Sequence, residues 1–175
     1  SSARTVSAWF NSFNLSGAST VRTIVGWGND SWGQLFDITT KGNKLHWHDY
    51  GGDFDGGTAL STNTWYHVAA TYDGSAKKLY LDGNLDGSAA GGLNTASGNP
   101  KVGRQPAISG QYFPGILDDV RVYDSALSAS EVSALASGGG EGAPEPAETF
   151  AFLGLLTAAG LGFREWRSRR KAKAA

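Results

Sequence analysis

The sequence contains no cysteine. It can form no disulfide framework and no thiolate metal site, a composition that is compatible with export without demonstrating it. Methionine is absent too. Glutamate is almost confined to the C-terminal part, at Glu131, Glu141, Glu145, Glu148 and Glu165. Everything before Glu131 has only aspartate to offer as a carboxylate. Glycoside hydrolysis needs two carboxylates flanking the scissile bond. The closely spaced pair Asp53 and Asp55 sits in a glycine-rich run that reads as a loop. The histidines are His46, His48 and His67, and no serine stands in a nucleophile-elbow context. These absences point away from an enzyme. Net charge is small as well, −1 over 175 residues. Residues 1–137 hold nine Lys/Arg against twelve Asp/Glu, a net of −3. A mildly acidic globular part argues against nucleic acid as a partner. The chain opens on Ser1-Ser2-Ala3-Arg4 and enters a strand-like run at once, with neither an initiator methionine nor a signal peptide. It reads either as a mature form or, the favoured reading, as a fragment whose first strands and leader are missing.

What is present has an all-β character. Glycine is abundant, at 25 residues, and runs of alternating apolar residues recur between turn signals. Strand-like runs cover Thr5 to Phe10, Arg22 to Trp27, Gly33 to Thr39, Lys44 to Asp49, Trp65 to Tyr72, Lys77 to Asp82, Lys101 to Arg104 and Gly115 to Tyr123. Leu85 to Pro100 is small and polar, hence loop or a short edge strand. Asp73-Gly74 and Asp82-Gly83 tolerate positive φ and mark hairpin turns. In Trp65 to Tyr72, residues Tyr66, Val68, Ala70 and Tyr72 share one face, and Trp65, His67, Ala69 and Thr71 the other. Both faces carry apolar bulk, which places this strand inside a sandwich. Ser128-Ala129-Ser130-Glu131 has the form of a capping box, with Leu127 and Val132 as its hydrophobic staple. A short helix closing near Ser137 follows.

The segment 138–146 is a Gly/Pro linker that contains Pro144-Glu145-Pro146. Phe150 to Phe163 is uncharged and mostly apolar, so 147–166 is expected to form a thin membrane span. The tail 167–175 is basic and belongs in the cytoplasm by the positive-inside rule.

Two resemblances stand on these residues. TNTWYHVAATYDGSAKKLYLDGNLDGS followed by FPGILDDVRVYDSALSASEVSAL resembles a laminin G-like domain of the concanavalin A-like lectin/glucanase superfamily. The Trp-x-His-Val-Ala strand, the Tyr-x-Asp-Gly turn, the Gly-Ile-Leu-Asp-x-Val-Arg-Val-Tyr strand and the Ala-Leu-Ser-x-x-Glu helix start occur in order. The resemblance covers 1–137 and implies an antiparallel jelly-roll sandwich with a short closing helix. Pro144, Glu145 and Pro146, the apolar run, and Arg164, Arg167, Arg169 and Arg170 resemble a PEP-CTERM sorting signal. That implies export, anchoring in the inner membrane, processing by an exosortase-like enzyme, and release to the cell surface or outside. The chain lacks the alternating acidic strand of the superfamily's glucanases.

The expected function is a non-enzymatic binding or adhesion module for carbohydrate or exopolysaccharide matrix. The alternatives are a structural surface protein that binds protein partners, and an accessory domain of a larger secreted glycoside hydrolase. Asp118 alternates with Ile116, Val120 and Val122, which places a carboxylate on an apolar face, costly unless it is paired or metal-bound. The equivalent Asp in related jelly rolls holds a structural Ca2+, so Asp118 is the candidate metal ligand. Trp9, Trp47 and Trp65 read singly as core residues. Trp32 and His48 stand out as exposed candidates for ligand binding, with Asp53 and Asp55 beside them. Aromatic faces and nearby polar groups suit sugar rings.

Overall fold

The computed structural model describes residues 2–138. The chain forms β1 (Arg4–Ser12), β2 (Val21–Gly28), β3 (Leu35–Lys41), β4 (Lys44–His48), β5 (Phe54–Asp55), β6 (Trp65–Tyr72), β7 (Ala76–Leu81), β8 (Asn84–Ala90), β9 (Lys101–Val102), β10 (Gly115–Tyr123) and α1 (Ala129–Ala136). Two five-stranded antiparallel sheets result, in the orders β10-β1-β6-β7-β8 and β5-β4-β3-β2-β9. Their facing sides enclose one core, with Val6, Phe10, Val68, Ala70, Tyr72 and Leu79 from the first sheet and Ile24, Phe36, Ile38, Leu45 and Trp47 from the second. This is the all-β jelly-roll sandwich that the alternating runs imply.

The hairpins follow from their turn residues. Asp73 accepts bonds on Oδ1 from the amides of Ser75 and Ala76, at 2.8 and 2.7 Å. Asp82 and Gly83 both adopt positive φ, +48° and +80°, the twist that joins β7 to β8 with two residues. The small, polar run after that turn begins with an edge strand, β8, and has no regular structure from Gly91 to Pro100. The glycine-rich run read as a loop holds the two-residue strand β5, with Asp55 on it.

The outward face of β6 is buried for a different reason from the inward one. Helix α1 lies over it, with Val132 fully buried against Ala69 and Tyr80 and with Leu127 alongside. Full burial of a valine side chain is worth roughly 1.5–3 kcal/mol. The capping box is present: Glu131 N–H donates to Ser128 Oγ at 3.3 Å, and Ser128 N–H to Glu131 Oε2 at 2.7 Å. Thr5 Oγ1 donates to Ser125 O and accepts from Leu127 N–H, which stitches the approach to the helix onto β1.

Of the three tryptophans expected in the core, only Trp47 is there. Val6, Ala8 and Phe10 occupy the inward positions of β1, so Trp9 points outward and packs edge-on against His67 at 5.3 Å. Trp65 shares that outward face by alternation and is half-buried.

Asp118 is also corrected. Ser7 pairs with Arg121 but Trp9 with Asp118, so β10 holds one residue more than β1 across that interval. Asp119 absorbs it at φ +46°. A bulge of this kind switches every side chain beyond it to the other face. Asp118 therefore lies with Trp9 on the outer side and is exposed, not on an apolar face.

The linker beyond Gly138, the expected span 147–166, the basic tail 167–175 and the sorting residues from Pro144 to Arg170 lie outside the described residues. Among the described residues no helix is long and apolar enough to cross a membrane.

Candidate functional site

Three chain segments meet at one end of the sandwich: the β2–β3 turn, the loop after β4, and residues 90–94, which run on from the last residue of β8. The turn is closed by bonds from Ser31 N–H to Asn29 O and from Gln34 N–H to Ser31 O, which pushes Trp32 outward. Trp32 is 79 % exposed. Gly33 (φ +65°) donates to Asp49 O, and Asn94 N–H donates to Gly33 O, both at 2.9 Å. The indole rests on Gly51, where a Cβ would lie 2.9 Å from Nε1 and Cε2. Leu93 N–H is held by Tyr72 Oη at 3.0 Å. Together these segments bound a cleft of about 630 Å³, within the range of small-molecule sites.

The cleft has a charged floor. Lys77 Nζ donates to Asp49 Oδ2 at 2.6 Å and to Gly52 O at 2.8 Å. Asp49 also accepts from Trp47 Nε1 and from the amides of Gly51 and Gly52. Burial alone would raise the Asp49 carboxyl. The bonds from Lys77, Gly51 and Gly52 outweigh it and hold the group below its ordinary value.

A second polar cluster covers the outer face of the second sheet. Asp37, on β3, is fully buried. Its Oδ2 accepts from Thr23 Oγ1 at 3.0 Å and lies 3.6 Å from His48 Nδ1, beyond hydrogen-bond length. Its Oδ1 has no partner and occupies the space where a Cβ on Gly26 would be, 2.5 Å away. Burial pushes Asp37 up to about 6, against the opposing pull of His48 and Thr23. On His48 itself burial acts downward, but Asp37 and Asp53 prevail and the imidazole is raised. His46 Nδ1 meets Asp55 Oδ1 at 2.6 Å, yet burial wins there and lowers the imidazole. Tyr50 sits at φ +64°, uncommon for a residue with a Cβ. Its ring packs on His48 at 4.8 Å.

The four residues expected to bind ligand thus divide. Trp32 rims the cleft. His48, Asp53 and Asp55 gather around Asp37 and His46 instead. His48 is buried, not exposed, because Asp37 and Tyr50 pack against it. Asp53 serves the loop, with Oδ1 accepting from Asp49 and Tyr50 N–H at 2.8 and 2.9 Å. The cleft residues Asp49, Lys77 and Asn94 were not among the expected ones. Lys77 carries a signal: it alternates with Leu79 and Leu81, so its charge falls on the apolar face of β7. Asp37 carries a similar one, alternating with Leu35.

Asp118, the candidate calcium ligand, lies on the outer side of β10. One Asp118 oxygen already accepts from Asp119 N–H at 2.8 Å. Among the described residues, no group of three or more His, Cys, Asp or Glu could share a metal ion.

Two antiparallel sheets, a short closing helix and a ligand-sized cleft at the sandwich end define a lectin-like β-sandwich domain. The chain belongs to the concanavalin A-like lectin/glucanases superfamily, whose laminin G-type family model matches residues 1–133. Comparison with curated protein sequences finds no match. Among solved structures, a candidate carbohydrate binding protein from Bacteroides ovatus is 22% identical with a TM-score of 0.62; the match covers 75% of this chain and 40% of that one. Domain 4 of AbnA, a GH43 extracellular arabinanase from Geobacillus stearothermophilus, in complex with arabinotriose, is 24% identical with a TM-score of 0.57, covering 78% of this chain and 68% of that one. The Ruminococcus gnavus IT-sialidase CBM40 bound to alpha2,3 sialyllactose is 15% identical with a TM-score of 0.57, covering 77% and 82%. At these identities the likeness is one of fold.

Proposed function

We propose that the protein is a non-catalytic carbohydrate-binding module whose ligand sits in the cleft beneath Trp32. The observation that carries this reading is the exposed indole standing over a glycine-lined cleft with a closed polar floor. An aromatic face at the rim receives the apolar face of a sugar ring, while backbone groups and Asn94 take its hydroxyls. Among the described residues the cleft has no pair of carboxylates: Asp49 is its one acid, and four donors already bond it. That supports binding over hydrolysis. Structural relatives complexed with arabinotriose and with sialyllactose support a glycan as the ligand class. The test is a glycan array with the full chain and Trp32→Ala. Binding lost in the variant, with melting unchanged, is the expected result. Silence of the wild-type protein on every glycan sinks the reading.

The module is proposed to act outside the cell in adhesion to exopolysaccharide matrix. Pro144-Glu145-Pro146, the apolar run and Arg164 to Arg170 would serve as a sorting signal read by an exosortase-like enzyme after anchoring in the inner membrane. Intact-mass measurement of the secreted protein, with and without Pro144→Ala and Pro146→Ala, tests this. An unprocessed tail in an exosortase-bearing host would refute it. The accessory-domain reading is favoured by one observation, the likeness to domain 4 of an extracellular arabinanase.

A further inference from the structure

We infer that the Trp32 cleft selects neutral glycans and rejects sugars that carry a carboxylate. The inference rests on the proposed site and adds the class of ligand it takes.

Recognition of a carboxylated sugar requires a cation with charge to spare or several free N–H donors, because a carboxylate stripped of water is costly unless it is paired or hydrogen-bonded. Among the described residues, the cleft lining contains one cation, Lys77, and one anion, Asp49. They face each other at 2.6 Å, and each side chain is 2 % exposed. Lys77 spends a second donor on Gly52 O. Its charge is therefore compensated before any ligand arrives. Arg4, whose partner Tyr72 also holds Leu93 in the cleft wall, has its guanidinium against the rings of Trp27, Phe36 and Tyr72, at 5.6–5.8 Å from their centroids. The loops that carry the cleft add negative charge: Asp30 shares the β2–β3 turn with Trp32, and Asp53 follows Gly51 and Gly52. An anionic sugar entering here meets a neutral floor and acidic flanks.

The same lining suits a neutral ring. Gly33, Gly51, Gly52, Gly91 and Gly92 keep side chains out of the cleft and leave backbone amides and carbonyls at its wall. The amides of Gly33, Gly51, Gly52 and Gly91 already donate within the protein, so the carbonyl oxygens, each with a second lone pair, are the neutral partners for a hydroxyl. Gly51 also sets the height of the platform. An added methyl there falls 2.9 Å from the indole, so Gly51→Ala must displace Trp32. Because that ring is exposed, it can move without unfolding the domain.

The test is titration of the full chain, followed by tryptophan fluorescence and calorimetry. The probes are matched pairs that differ only in charge or in a charged sugar: oligogalacturonate against its methyl ester, and sialyllactose against lactose. The neutral member is expected to bind more tightly by about tenfold or better. Its affinity should be unchanged between about 50 mM and 500 mM salt. Trp32→Ala should abolish binding, and Gly51→Ala should weaken it with an unchanged melting temperature. Tighter binding of the carboxylated members, or affinity that falls with salt, overturns the inference and leaves the site itself standing. If neither these probes nor a wider array of glycans bind, both the site and the inference fail.

Discussion

Lys77 and Asp49 join the two sheets of the sandwich through one buried ion pair, Nζ to Oδ2, at 2.6 Å. Lys77 belongs to β7 of the first sheet. Asp49 follows β4 of the second. Two chain segments that share no ladder are thereby fixed against each other at the cleft floor.

Breaking that pair from one side should be costly. Lys77→Met leaves the Asp49 carboxylate buried without its cation, a situation that costs about 3–5 kcal/mol. Asp49→Asn leaves the lysine in the same position. Replacing both together should cost clearly less than the sum of the single changes, because no orphan charge remains. Urea unfolding of the two single variants and the double variant measures this directly. Single losses below about 1 kcal/mol, the range of an exposed pair, would contradict it.

Stability should respond to pH through two buried groups of opposite sign. Asp37 has a folded value of about 6, above its ordinary 3.8. The folded state thus binds the proton more tightly. Asp37's contribution is fully present below about 3.8 and is lost as pH rises through 6. The loss is roughly 3 kcal/mol. Asp37→Asn should remove this penalty, so its melting temperature should gain on the wild type between pH 4 and pH 7. His67 is lowered from 6.5 to about 4, first by burial. Its contribution is present above 6.5 and is lost as pH falls through 4. His67→Phe should flatten that acid limb while keeping an aromatic contact to Trp9. Melting curves from pH 3.5 to 8 separate the two. An Asp37→Asn difference that does not change with pH would show that the buried carboxylate is not the titrating group.

The exposed placement of Asp118 predicts indifference to calcium. Asp118→Ala should change stability by no more than about 0.5 kcal/mol, as for other surface substitutions. Melting in EDTA and in calcium should coincide. A clear rise in melting temperature with calcium, abolished in Asp118→Ala, would restore the metal.

The fold was largely legible because its signals are local. The Asp-Gly turns fix both hairpins of β6, β7 and β8, and Ser128 with Glu131 fixes the start of α1. The candidate site was legible only at Trp32. A bulky aromatic between turn residues has no strand partner, so its exposure can be inferred from sequence. His48 misled because alternation assigns a face without saying what covers that face. Asp118 misled because one left-handed residue, Asp119, breaks the alternation on which its assignment depended.

The sequence by itself determined most of the strands, though not β5, together with the two tight turns and the helix cap, since each depends on residues within a few positions of one another. Only the tertiary structure decided which side chains share the cleft. Trp32, Asp49, Lys77 and Asn94 come from four separate segments, and no short-range pattern links them. They meet because the sheets stack with those loops at one end, and because two buried opposite charges are tolerated there only in contact.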